Sequence, residues 1–378
     1  MKIALFTSNR TIVPPPPGVI AASAYLTGLL ADMLVEAGHD VTLYAPKGSM
    51  TKARIIDLDL PPSDLDYALH PEEWVKNMSL GMKQRYLSQI CQDSDQYDII
   101  HLQTEPIYLG MPFASLIRTP MIVTNHNVFL QKEKPLLLQY THVPIITISH
   151  FQRSTMPELN HIATIYDGIP VERFPFSGGN EEKHYLGFMG RLVRTKGIEE
   201  AISTCQQSNR TLKISGIGPQ DYIEKAIIPH LSDTIEYVGA LQKDSQVWYD
   251  FYTNAKALMV PVQWDEPFGL VMTEAMSCGT PILAFARGSI PEIVVDGVTG
   301  FIVNPSDTDI RGEWIIKKTG IAGLREAVER IYSLDTPTYN EMRTACRARA
   351  ETLFSLKQMV DGYCKAYEQC ISMYGHTR

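Results

Sequence analysis

Two carboxylates, Glu266 and Glu274, stand on either side of the turn Pro267-Phe268-Gly269. The apolar run from Lys256 to Val262 predicts a strand before the turn, Gly269-Leu270 starts a helix, and Thr280-Pro281 opens a further strand. At a helix start the first backbone N–H groups lack intrahelical partners, so Gly269 and Leu270 suit a phosphate or the polar edge of a sugar. A carboxylate one turn into the helix, Glu274, can accept two hydrogen bonds at once and so suits a ribose diol. The plainer alternative is that both acids merely complement the helix dipole. It explains either glutamate alone, but not the order Glu, Pro-Phe-Gly, Glu, Gly-Thr-Pro taken together.

Chemistry-bearing residues recur at other expected strand ends. Arg191 follows a strand directly in Gly190-Arg191-Leu192-Val193-Arg194-Thr195-Lys196-Gly197, and Lys196 stands at the next helix start. Two cations there fit a diphosphate whose charge grows as it leaves; taken singly, each reads as ordinary solvated charge. Gly216 and Gly218 follow another strand and let the chain approach a phosphate or a base closely. In the first half, His126 ends the strand Met121–Asn125, and His101 sits near the end of Asp98–Gln103. The polar neighbours of His126 favour it over His101 as a site residue, although a lone histidine is more often structural.

Other chemistries are disfavoured. No G-x-G-x-x-G follows the first strand and no G-x-x-x-x-G-K-[ST] occurs, which argues against dinucleotide oxidoreductases and P-loop enzymes. Asp57-Leu58-Asp59 lies among apolar residues before Pro61-Pro62 and reads as structural, so no metal site is expected.

These residues need a scaffold that collects strand ends. Short β-rich runs alternate with helical stretches throughout. In the first half they are Lys2–Thr7, Asp40–Tyr44, Asp98–Gln103, Met121–Asn125, Ile145–Ser149 and Thr164–Tyr166. In the second half they are Tyr185–Met189, Thr211–Ser215, Ile235–Val238, Ala257–Val262, Ile282–Phe285 and Phe301–Val303. Continuous rather than alternating apolar positions mark parallel strands buried on both faces. The alternation, run twice, predicts an α/β chain of two Rossmann-like doubly wound domains facing across a cleft, with ligands at the C-terminal ends of strands. Phe176 to Lys183 reads as the linker, and Leu353, Met359, Val360, Tyr363, Tyr367 and Cys370 mark a terminal helix. The run Pro14–Pro17 stiffens the first βα loop or serves as a spacer.

The bulk numbers agree. With 378 residues there is room for two domains, and 44% hydrophobic with 20% charged residues is ordinary for a globular chain. The net charge of −8, acidic in both halves, does not suggest a nucleic-acid partner. Six scattered cysteines form no ligand pattern and read as reduced thiols. Met1-Lys2 runs straight into an apolar strand, so neither a signal peptide nor a transmembrane segment is expected, and the cytoplasm is the expected location.

Taken together these motifs resemble the retaining glycosyltransferases of family four (glycosyl transferases group 1), which have the GT-B fold. The resemblance runs through Gly38-His39-Asp40-Val41, Asp98-Ile99-Ile100-His101, Tyr166-Asp167-Gly168-Ile169-Pro170, Gly190-Arg191 to Lys196-Gly197, Glu266 to Ala275, Pro291-Glu292-Ile293 and Gly297 to Phe301. It implies residues 1–175 as an acceptor-side domain, 184–350 as a nucleotide-sugar domain, and 351–378 as a helix returning to the first. It implies transfer of a hexose from a nucleotide-diphosphate sugar, a UDP-sugar favoured and GDP-mannose the other candidate, to a hydroxyl acceptor, without metal or cofactor. The acceptor, a saccharide, lipid-linked or small molecule, stays open, as do peripheral membrane contact and oligomeric state. By family position Glu274 binds the ribose and Arg191 with Lys196 holds the diphosphate. Glu266, with the backbone of Phe268, Gly269 and Leu270, faces the hexose and α-phosphate, and His126 stands near the hexose. The resemblance departs where the family carries Gly-Gly at the first helix start: here stand Ala21-Ala22, with Gly18 as the glycine of the preceding loop. Two alternatives stay open: a GT-B phosphorylase, which uses phosphate as acceptor, and, motivated by this departure, a non-catalytic nucleotide-sugar-binding protein.

Overall fold

The computed structural model describes residues 1–63, 73–103, 106–177 and 183–374. It divides into two units, Met1–Gly168 with Leu356–Arg378, and Ile169–Ser355.

The first unit is built on seven parallel strands: β1 (Lys2–Phe6), β2 (Asp40–Tyr44), β3 (Arg54–Ile56), β4 (Ile99–Leu102), β5 (Met121–Asn125), β6 (Ile145–Thr147) and β7 (His161–Thr164), in the order β3-β2-β1-β4-β5-β6-β7. Register is tight in the centre, where Ile3 lies beside Val41 on one side and Ile99 on the other. Successive residues of a strand point to opposite faces, so a strand buried on both sides must be apolar throughout. Ile3 and Leu5 pack against α1 (Ala22–Glu36) and the C-terminal helix Leu356–Tyr374, together with Leu30, Met359, Tyr363 and Tyr367. Ala4 and Phe6 pack on the other face, with Tyr86, Leu87 and Ile90 of α2 (Glu73–Asp93).

The second unit repeats the plan with six parallel strands: β8 (Tyr185–Met189), β9 (Leu212–Ser215), β10 (Ile235–Gly239), β11 (Ala255–Val260), β12 (Ile282–Phe285) and β13 (Gly300–Val303), in the order β10-β9-β8-β11-β12-β13. Its helices include α3 (Ile198–Ser208), α4 (Gln246–Thr253), α5 (Leu270–Ser277), α6 (Gly320–Ser333) and α7 (Thr336–Leu353). Leu186, Phe188, Ile214, Met259 and Phe285 form the core with Ile198 and Ile202 of α3 and Leu324, Val328 and Ile331 of α6. Two helices begin where a side chain caps them: Ser245 accepts from Trp248 N, and Asp335 accepts from Thr338 N at 3.0 Å.

Three details differ from the expected layout. β3 was absent from the expected strands, because three residues at a sheet edge leave no apolar run to read. β7 starts three residues earlier than Thr164, since His161 pairs with Ile145 in the ladder. The unit boundary falls after Gly168 rather than at the linker. Ile169, Val171 and Phe174 are buried, and the Phe174 ring packs on Trp248 and Tyr249 at 5.4 and 5.3 Å, which commits this stretch to the second unit. Within the expected linker, residues 178–182 lie outside the described residues.

Candidate active site

In the second unit the turn after β11 places the carboxylates as the spacing implied. Gly269 has φ near 94°, and a Cβ on it would lie 2.7 Å from Met272 Cε and 3.2 Å from Glu266 Cγ. Only glycine takes this conformation at low cost. No side chain caps α5, so its first N–H groups stay open at the end of β11. Phe268 is buried with its carbonyl bound by Ser289 Oγ at 2.9 Å, and Ser289 N binds the Glu266 carbonyl at 2.9 Å. The β12 loop therefore clamps the backbone of the turn from below.

Glu266 and Lys196, far apart in sequence, meet here. One Glu266 carboxylate oxygen accepts from Lys196 Nζ at 2.5 Å and from Trp264 Nε1 at 3.0 Å. The same ammonium stands 4.9 Å from the centre of the Trp264 ring. Glu266 is buried, so the pair is shielded from water and stronger than a surface ion pair. An outer chain of charges braces the turn: Asp265 pairs with Arg311, Arg311 with Asp309, and Asp309 with Arg287.

Glu274 is also buried, and both of its oxygens are engaged. Lys243 Nζ pairs with one, and the Tyr252 hydroxyl donates to the other at 2.8 Å. Burial and the neighbouring carboxylate push the Tyr252 phenol well above its ordinary pKa, so it remains a donor. Each carboxylate oxygen has two acceptor positions, which leaves room for a diol.

The β8 and β9 loops run against each other. Leu192 N donates to the Ile217 carbonyl at 2.7 Å, and a Cβ on Gly216 would lie 1.8 Å from the Gly190 carbonyl oxygen. A side chain on Gly218 would meet the Leu192 carbonyl oxygen at 2.1 Å. These glycines serve the packing of two loops, a purpose the sequence reading did not give them. Arg191 is exposed, and its side chain has no ion-pair or hydrogen-bond partner among the described residues.

In the first unit, His126 ends β5 with its side chain 6% exposed. Its Nε2 lies 2.8 Å from Gln103 Oε1, and its Nδ1 lies 3.6 Å from Asp167 Oδ1. Burial pulls its pKa down to about 4, so the ring is neutral near pH 7. His101 is wholly interior. Its Nδ1 pairs with the Tyr367 hydroxyl at 2.7 Å and its Nε2 with Thr124 Oγ1 at 2.8 Å, tying the C-terminal helix to β4 and β5. Gly18 has φ near 82° with open space where a Cβ would stand. Ala21 precedes α1 without a side-chain cap, and Ala22 is exposed. Asp57 and Asp59 form a tight turn, Asp59 N donating to Asp57 Oδ1 at 2.9 Å while Asp59 pairs with Lys47.

Sequence reading missed Lys243, Tyr252, Trp264, Gln103 and Asp167. Asp167 lies inside the motif Tyr166 to Pro170, and Trp264 lies two residues before Glu266. Lys243 and Tyr252 belong to the β10 loop and α4, and no local pattern links them to Glu274.

The family description "Glycosyl transferases group 1" matches residues 171–334, and "Glycosyltransferase Family 4" matches residues 26–173. An uncharacterized 41.2 kDa protein of the cps region of Klebsiella pneumoniae is 28% identical over 55% of this chain and 55% of its own length, so this match spans about half of that relative. An uncharacterized glycosyltransferase of Methanocaldococcus jannaschii is 24% identical over 89% of this chain and 95% of its own. Among solved structures, sucrose-phosphate synthase of Thermosynechococcus elongatus superposes with a TM-score of 0.74 at 19% identity, covering 98% and 99% of the two chains. Anabaena HepE in complex with UDP superposes with a TM-score of 0.71 at 17% identity, covering 98% and 100%. Among the described residues no helix is long and apolar enough to cross a membrane. With one family description on each unit, a parallel sheet in each, and whole-chain superposition on solved structures, the chain belongs to the group 1 glycosyltransferases of the GT-B fold.

Proposed function

We propose that the protein transfers a hexose from a nucleotide-diphosphate sugar, UDP-linked, to a hydroxyl acceptor with retention of anomeric configuration, and that neither metal nor organic cofactor takes part. The observation that carries this reading is the convergence of Lys196 and Glu266 on the open N-terminus of α5, with Glu274 one turn further in. In this reading the ribose diol donates to the Glu274 oxygens. Gly269 and Leu270 N–H groups meet the α-phosphate or the hexose edge, and Glu266 accepts from a hexose hydroxyl.

The diphosphate lies against Lys196 and Arg191. Negative charge grows on it as the C1–O bond breaks, and two cations, Lys196 held by Glu266 and the exposed Arg191, supply the neutralisation that a metal supplies elsewhere. The acceptor oxygen bonds to C1 on the face the diphosphate leaves, and its proton passes to the departing phosphate oxygen. The UDP in the neighbouring HepE structure supports the choice of base. The test is a panel of UDP-, GDP- and ADP-sugars followed by nucleotide release, with the anomeric configuration of the product read by NMR. An inverted product, or release only with added metal, would overturn the corresponding part of the reading.

A further inference from the structure

A buried amide in the first unit decides which ring nitrogen of His126 carries the proton. Gln103, at the end of β4, is 1% exposed. Its Oε1 lies 2.8 Å from His126 Nε2 and 3.1 Å from Thr27 Oγ1 of α1, while its Nε2 is buried with no hydrogen-bond partner among the described residues. The Thr27 hydroxyl also lies 2.7 Å from the Ser23 carbonyl, one turn back along the helix.

A hydroxyl has one proton to give. Given to Ser23 at the shorter distance, it leaves Thr27 Oγ1 and Gln103 Oε1 facing each other, oxygen to oxygen, with no hydrogen between them. Exchanging the two ends of the amide, which are alike in shape, resolves the conflict. The Gln103 NH2 then donates one hydrogen to Thr27 Oγ1 and the other to His126 Nε2. The amide group left unpaired becomes a carbonyl oxygen instead of an N–H, while the buried His126 Nδ1, which has no hydrogen-bond partner among the described residues, takes up an N–H that faces the Asp167 carboxylate.

We infer that Gln103 is a positioning residue that holds His126 as the neutral Nδ1–H tautomer. Accepting at Nε2 forces the proton onto Nδ1, which lies 3.6 Å from Asp167 Oδ1, too far for a direct hydrogen bond and pointed at a buried carboxylate. His126 then carries its proton on a buried Nδ1 that has no hydrogen-bond partner among the described residues, its Nε2 lone pair is taken by the amide, and no lone pair is left to take a proton from an acceptor hydroxyl. This rests on the transfer reaction proposed above and deepens it: the acceptor proton must go to the leaving diphosphate, because the imidazole cannot receive it. Among the described residues, the titratable groups near the ring are Asp167 after β7, His101 on β4 and Tyr363 of the C-terminal helix. Burial, the same cause that lowers the histidine pKa to about 4, also favours the neutral ring.

The test is a two-bond proton–nitrogen NMR spectrum of the imidazoles of the full chain without nucleotide, with His126 identified by its loss in His126→Gln. The expected spectrum has a protonated Nδ1 and a lone pair on Nε2, unchanged from pH 8 to 5.5. In Gln103→Glu a carboxylate replaces the donor, so the proton should move to Nε2 and the titration midpoint should rise by at least about one pH unit. A wild-type spectrum with Nε2–H overturns the inference whether or not the variant folds. A folded Gln103→Glu with an unchanged tautomer does so as well. The spectrum needs no substrate, so it separates from the reaction: transfer without the Nδ1–H tautomer sinks this inference alone, and the tautomer without any transfer sinks the proposed function alone.

Discussion

The Lys243 ammonium is paired with the Glu274 carboxylate, whose second oxygen accepts from the Tyr252 hydroxyl at 2.8 Å. Glu274 is 4% exposed, and a carboxylate so far from water needs a counter-charge and donors to remain ionised. Lys243 and Tyr252 supply both before any ribose arrives, so the carboxylate is oriented in advance.

Glu274→Gln should therefore keep the fold, since the replacement fills the same volume and the Lys243 side chain is 35% exposed and can be solvated. It removes the charge that strengthens the bonds to a ribose diol, which are worth about 1.5–3 kcal/mol. Nucleoside diphosphate affinity should fall about ten- to a hundredfold by calorimetry. An unchanged affinity would remove Glu274 from the ribose site.

Arg191 and Lys196 should separate binding from chemistry. Each Ala variant removes a charge aimed at the leaving diphosphate, and losing one preorganised group of this kind typically costs about a hundred- to a thousandfold in kcat. Donor affinity should fall by less. Lys196→Ala carries an added cost, because among the described residues buried Glu266 then keeps only Trp264 as a side-chain donor to its paired oxygen. Equal losses in kcat and affinity would mean that these cations bind ground state and transition state alike.

The interior histidines give the first unit an acid-sensitive stability. Burial lowers the folded-state pKa of His126 to about 4 and of His101 to about 3, below the ordinary value of 6.5. Below about pH 6.5 the unfolded chain takes up protons that the folded chain refuses. The stabilisation is complete above the unfolded pKa and is lost as pH falls toward the folded values. Each histidine contributes a slope of up to about 1.4 kcal/mol per pH unit in that window. Urea denaturation between pH 7.5 and 5 should show this decline, and His101→Gln should flatten it. A wild-type midpoint independent of pH over this range would show the rings to be protonated or exposed.

The first βα loop supplies a fourth prediction. Gly18 takes a left-handed φ with open space around its missing Cβ, so Gly18→Val brings backbone strain of about 1–2 kcal/mol rather than a clash. Hexose transfer should fall sharply while UDP affinity, measured by calorimetry, stays nearly unchanged. Normal transfer kinetics in Gly18→Val would reduce the loop to a spacer.

The sequence was most legible where local patterns suffice. The central strands of both sheets are mostly apolar runs, and the Glu266–Glu274 block carries its own turn, helix start and acids. What stayed hidden depends on contacts that no local pattern encodes. Lys243 reaches Glu274 from another loop, and Gln103 meets His126 only because β4 and β5 are neighbours in the sheet. His101 and His126 look alike in sequence, each near a strand end. Tyr363 and Tyr367 distinguish them, because the C-terminal helix seals His101 inside with Tyr367 on its Nδ1. The Phe174 contacts with Trp248 and Tyr249, which move the unit boundary, are equally long-range in the chain.

The central claim is that the second unit's site activates a nucleotide-diphosphate sugar with protein cations. The most direct measurement is nucleoside diphosphate release from UDP-glucose, GDP-mannose and ADP-glucose in excess EDTA, for the wild type and for Arg191→Ala with Lys196→Ala. The account predicts release from at least one donor, the UDP-sugar first, persisting under EDTA and reduced at least a hundredfold in the double variant. Release from none of the three, release that requires added manganese or magnesium, or wild-type rates in the double variant would contradict it.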